Sequence, residues 1–149
     1  MIDVRMLERA DASVLDNVAH GVFDERIDPH WTAAFLADSR HHLAVALDDG
    51  VVIGMASAVD YVHPDKCPEL WINEVGVAPS HQGQGIGKLL LRALLDRAKS
   101  LGCAEAWVLT TADNAAAQRM YRAAGGEPER EQPVMFTFPL KDQEKPLQE

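Results

Sequence analysis

Three glycines at alternate positions, Gly83, Gly85 and Gly87, separate the run Val75-Gly76-Val77-Ala78-Pro79 from the leucine-rich stretch Lys88-Leu89-Leu90-Leu91. No other feature of the chain constrains its fold as tightly. The apolar run before the glycines reads as a buried strand that Pro79 stops. The run after them, KLLLRALLDRAKSLGC, carries apolar residues at helical spacing and stops at Gly102. Glycines at such a junction let the backbone turn tightly and let a ligand approach with no Cβ in its path. The first amides of the helix have no acceptor within it, and the helix dipole favours an anion there. The segment therefore reads as a phosphate cradle made of Gln82, Gly83, Gln84, Gly85, Ile86, Gly87 and Lys88. Two nucleotide motifs do not fit it. A P-loop needs Ser or Thr after its lysine, and here Leu89 follows Lys88. A dinucleotide fingerprint needs Gly-x-Gly-x-x-Gly, with an acidic residue about 20 positions on.

The remaining elements follow from local signals. Residues 2–7 alternate apolar and polar and predict a strand. Asp11 predicts a helix cap, with the helix reaching about His20. Asp28-Pro29 predicts a second start, for a helix through Trp31, Phe35 and Leu36. Asp49-Gly50 predicts a hairpin turn between two alternating strands, the second ending near Tyr61. Residues 69–79 and 106–110 read as further strands, a helix starts at Asp113 or Asn114 and stops at Gly125-Gly126, and residues 134–140 read as a last strand. The order β-α-α-β-β-β-α-β-α-β predicts an α/β domain with a mixed, mostly antiparallel sheet flanked by helices on both faces.

At 149 residues one domain is expected, spanning 1–140 with a polar tail at 141–149. Hydrophobic residues at 47% and charged residues at 25% exclude a wholly disordered or coiled-coil chain. The net charge of −9 argues against nucleic acid as partner, since phosphate binding needs a basic face. The same field would concentrate a cationic ligand, although it could equally serve solubility alone. Two cysteines and scattered histidines show no metal-ligand spacing, so no metal is expected; His81 reads as a solvated loop residue. No signal sequence or membrane-length apolar run is visible, so a cytoplasmic protein without membrane contact is expected.

Two motifs carry a family resemblance. Gln82-x-x-Gly85-x-Gly87 after Val75-Gly76-Val77 resembles the acyl-CoA-binding motif of the GNAT superfamily of N-acetyltransferases. The segment 114–125, with Ala117-x-x-x-Tyr121 and Gly125 four residues on, resembles the next motif of that family. Gly126 departs from it, an aromatic residue being usual there, and Gln82 stands where arginine is commoner. The resemblance runs from Val4 to Leu140 and implies acetyl-CoA as donor. It implies that Val75 and Val77 pair with the pantetheine arm, that the Val75 N–H polarises the thioester, and that the amides of the glycine loop hold the pyrophosphate, with Asn114 among the donor-binding residues. It further implies that Tyr121 protonates the departing thiolate.

Glu74 is the second candidate for catalysis. A carboxylate in an apolar strand needs a reason, and it could bind a cationic amine, accept its proton through water, or make a structural ion pair. Asp24, Glu25, Asp28, Asp60, Tyr61, Glu74 and Asp113 could rim one acceptor cleft, or form an ordinary solvated surface. Residues 22–77 are similar, more loosely, to aminoglycoside 3-N-acetyltransferases, in the acidic segment, the hairpin strand ending near Tyr61 and an acidic residue at 74. The acceptor suggested is a small cationic amine, with an aminoglycoside first. Another small amine, a protein amine, or a non-catalytic acyl-CoA-binding module stay open, as does the oligomeric state, a homodimer included.

Overall fold

The computed structural model describes residues 1–141. Five strands, Ile2–Met6 (β1), His41–Asp48 (β2), Val51–Tyr61 (β3), Glu69–Val77 (β4) and Glu105–Val108 (β5), form one sheet in the order β1-β2-β3-β4-β5. The first four pair antiparallel, and β5 runs parallel to β4. The turn joining β2 to β3 puts Asp49 at φ +49° and Gly50 at φ +78°, the left-handed pair that the strand twist favours. The helices are Pro29–Ala37 (α1), Ile86–Ser100 (α2) and Ala115–Ala123 (α3).

α2 is the crossover between β4 and β5 and covers one face of the sheet. Its Leu90 and Leu94 are fully buried, and Gly54 of β3 leaves room for it, since a Cβ there would lie 3.1 Å from Leu90 Cδ1. α1 lies over the other face, where the Phe35 and His41 rings stand 5.1 Å apart. Asp28 caps α1 as expected, accepting from the amides of His30 and Trp31 at 2.8 and 3.1 Å.

Two irregularities shape the site. β4 and β5 pair only from Glu69↔Glu105 to Ile72↔Val108, so the stretch from Asn73 to Val77 has no partner on that side and the strands part. On the other side Glu74 pairs with Ser57 and Ile72 with Ala58, leaving Asn73 as an extra residue, a β-bulge.

Three expectations are corrected. The first helix is a short 3-10 helix, Arg9–Asp16; Asp11 acts from inside it, accepting from the Glu8 amide at 2.7 Å, and the chain is irregular from 17 to 28. The strand expected at 106–110 covers Glu105–Val108. Residues 134–140 are extended but belong to no sheet, with Val134, Met135, Phe136, Phe138 and Leu140 exposed by 75–93%. The strand alternation of that segment is real, but no edge of this chain receives it. Most of the expected tail lies outside the described residues.

Candidate active site

The glycine loop has the geometry of an anion cradle. Gly83 and Gly85 both sit at φ +78°, and a Cβ on either would meet nothing within 4 Å, so their surroundings are open. Gly85 immediately precedes α2, and the first helical bond runs from the Leu89 amide to the Gly85 carbonyl at 3.2 Å. The amides of Ile86, Gly87 and Lys88 have no acceptor among the described residues. Gly87 serves a different purpose, because a Cβ there would overlap the Met120 sulfur and push α3 away from α2. The Gln82 side chain donates to the Val77 carbonyl at 3.1 Å, tying the loop to the end of β4. His81 is not solvated. Its Nε2 meets Asp48 at 2.7 Å and its Nδ1 meets Ser80 Oγ at 2.7 Å, which pins the loop to the end of β2.

Tyr121 stands where the strands part. With Ile72 and Val108, the last paired residues of β4 and β5, it lines a mostly apolar cleft of about 190 Å³. Burial pushes its phenol above the ordinary tyrosine value, so the hydroxyl keeps its proton. The Asn114 side chain accepts from the Ala117 amide at 3.0 Å and caps α3. Gly126 donates to the Tyr121 carbonyl at 2.9 Å, and a Cβ at 126 would lie 2.9 Å from that same oxygen, which accounts for glycine at this position.

Cross-strand partners share a face of a sheet. Tyr61 pairs with Glu69, Val59 with Trp71 and Ser57 with Glu74, while Glu69 and Trp71 pair with Glu105 and Trp107. Strict alternation would have set Glu74 beside the buried Leu70 and Ile72. The bulge at Asn73 turns it instead to the face of Glu69 and Trp71, where it is exposed and in no ion pair among the described residues. The Trp71 and Trp107 rings stack with centroids 5.7 Å apart. Trp107 Nε1 donates to the Tyr61 hydroxyl at 2.6 Å, Tyr61 donates to Glu69 at 3.4 Å, and His63 Nε2 meets Glu69 at 2.6 Å. Burial pushes the Glu69 carboxyl up, but bonds to His63, Glu105 and Tyr61 outweigh it and hold the group below the usual carboxylate range. Its hydrogen bond and charge raise Glu105, which therefore holds a proton more tightly.

The other expected acceptor residues divide. The chain at Val22 crosses so close to Gly76 that a Cβ there would overlap the Val22 carbonyl, and it then leads into Asp24 and Glu25, which line a cleft of about 600 Å³. Asp28 is committed to its helix cap. Asp60 belongs to the opposite face, paired with Leu70 in register and held by His42 at 2.6 Å. Asp113 is exposed in the turn before α3. Trp71, Trp107, Glu105 and His63 escaped the sequence reading; only a cross-strand register brings them together. Among the described residues no cluster suited to a metal ion is present, and no helix is long and apolar enough to cross a membrane.

A parallel pair of strands that parts beside a tyrosine, above a glycine loop with free amides, defines a class of acyl-transfer protein. The acetyltransferase (GNAT) family model matches residues 7–125, and the chain belongs to that family, whose donor is acetyl-CoA. An N-alpha-acetyltransferase of Mycobacterium tuberculosis is 32% identical over 83% of this chain and 77% of its own. An aminoglycoside N(6′)-acetyltransferase of Salmonella typhimurium is 34% identical over 66% of this chain and 75% of its own. A streptothricin acetyltransferase of Streptomyces lavendulae is 40% identical over 60% of this chain but only 45% of its own length. The solved structure of an aminoglycoside acetyltransferase from an uncultured soil sample superposes with a TM-score of 0.78 at 22% identity, covering 94% of this chain and 97% of that one.

Proposed function

We propose that this chain transfers the acetyl group of acetyl-CoA to a primary amine of a cationic small molecule, an aminoglycoside first among them. The observation that carries the proposal is the composition of the face beside the strand split. An unpaired carboxylate, Glu74, shares it with two stacked indoles and a second carboxylate pair, Glu69 and Glu105. Indole faces attract cations, carboxylates pair with them, and the net charge of −9 raises their local concentration. In this reading Val75 and Val77 lie along the donor's pantetheine arm on the open edge of β4, and residues 82–88 hold its pyrophosphate. Tyr121 gives its proton to the thiolate as the amine attacks. Glu74 holds the ammonium and takes its proton through water. Asp24 and Glu25 contact the far amines of the acceptor.

The test is a panel of acceptors, with free thiol measured as acetyl-CoA is consumed. Aminoglycosides, streptothricin-like amines and N-terminal peptides form its arms. Acetylation of aminoglycosides in preference to the peptides supports the proposal, and preference for peptides overturns the acceptor. Donor binding with no acetylation of any amine returns the binding-module reading. The sequence resemblance points to a 3-amino group and the Salmonella relative carries 6′ in its name, so NMR of the acetylated product decides the position. Glu74→Gln should raise the acceptor KM about tenfold or more and flatten its dependence on ionic strength, because screening acts on the charge that the substitution removes. An unchanged KM removes Glu74 from the acceptor site.

A further inference from the structure

We propose that residues 134–140 form a strand on the sheet of a second copy of this chain, so that the protein is a symmetric dimer joined by exchanged strands. Three observations converge. The segment Val-Met-Phe-Thr-Phe-Pro-Leu has strand composition and exposes five large apolar side chains by 75–93%, so nothing in its own chain covers it. The outer edge of β5 pairs with no strand among the described residues, and beside it runs the cleft formed by Ile72, Leu91, Leu95, Ala106 and Val108. A bare edge next to an apolar cleft is a template for pairing. The connection between α3 and the segment, Glu127-Pro128-Glu129-Arg130-Glu131-Gln132-Pro133, has prolines near both ends and no glycine, asparagine or aspartate. Proline fixes φ and pushes the preceding residue to extended backbone, so this connection projects the segment outward instead of turning it back.

The area identifies the occupant as a copy of the same chain. Two phenylalanines bury roughly 300–500 Å², and the valine, methionine and leucine bring the sum close to the roughly 800 Å² per partner of a stable interface. In a twofold arrangement each copy gives its segment to the β5 edge of the other, so both apolar strips and both edges are used and the assembly closes at two. The incoming strand would also roof the cleft that Tyr121 lines.

The full chain is tested at micromolar concentration by sedimentation or light scattering, together with hydrogen exchange. The expected mass is that of two 16.4 kDa chains, with slow exchange of the amides of 134–138 and 140. The variant Phe136→Asp with Phe138→Asp should run as a monomer with those amides exchanging fast. Circular dichroism and acetyl-CoA binding at the distant glycine loop show that it has folded. If it does not fold, a chain ending at Pro133 replaces it with the same expectation. A wild-type monomer overturns the proposal, including one whose segment is protected by its own β5. A dimer that survives the substitutions, or an assembly larger than two, overturns it as well.

Discussion

Tyr121 and Glu105 are two residues whose protons the fold controls in the same direction for different reasons. Burial alone raises the Tyr121 phenol, which keeps it a donor at any pH where an amine is free to attack. Tyr121→Phe should lower kcat by about 10²–10⁴-fold, the usual worth of a positioned acid, and leave acetyl-CoA affinity nearly unchanged. Isothermal titration and steady-state rates separate the two, and a loss under about threefold removes the hydroxyl from the reaction. Glu105 is raised by its neighbour Glu69. A carboxyl with a raised value in the folded state stabilises most at low pH, and that contribution fades as pH rises through the raised value. Glu105→Gln keeps an N–H toward Glu69 at every pH. Its melting temperature should match the wild type below the ordinary carboxylate range and exceed it above; parallel melting curves across pH would show that the two groups do not share a proton.

At the scale of elements, the start of α2 depends on a conformation that only glycine adopts without strain. Gly85 at φ +78° sets the amides that follow it. Gly85→Ala should cost about 1–2 kcal/mol for the left-handed backbone, read by urea denaturation, and weaken acetyl-CoA binding at least tenfold, read by calorimetry; full affinity in the folded variant would move the donor elsewhere. The same scale shows what could be read from the chain in advance. The glycine loop, the Asp28 cap, the Asp49-Gly50 turn and the Asn114 cap are written within a few residues of themselves, and each was legible. The bulge at Asn73 was not, because an extra residue is visible only against the partner strand, and on it hangs the face that Glu74 occupies. Trp71 and Trp107 meet only through the parallel register of β4 and β5. Residues 134–140 have a strand's composition without a place in their own sheet, and composition says nothing about whose edge a strand joins.

For the molecule as a whole, one sheet holds together two regions with opposite needs. The buried core under α2, with Leu70, Leu90 and Leu94 almost without exposure, is closed and apolar. The other face beyond α1 is open, aromatic and acidic. The gap between β4 and β5 joins them, and it leaves the inner edge of the sheet incomplete over five residues, from Asn73 to Val77. Folding therefore stops one strand short along this line, and whatever lies there finishes the ladder. A donor that fills it acts as a structural component as well as a reactant: at a hundred times its dissociation constant it would add about 2.7 kcal/mol to the folded state. The supply of acetyl-CoA in a cell then sets how long this protein survives as well as how fast it works.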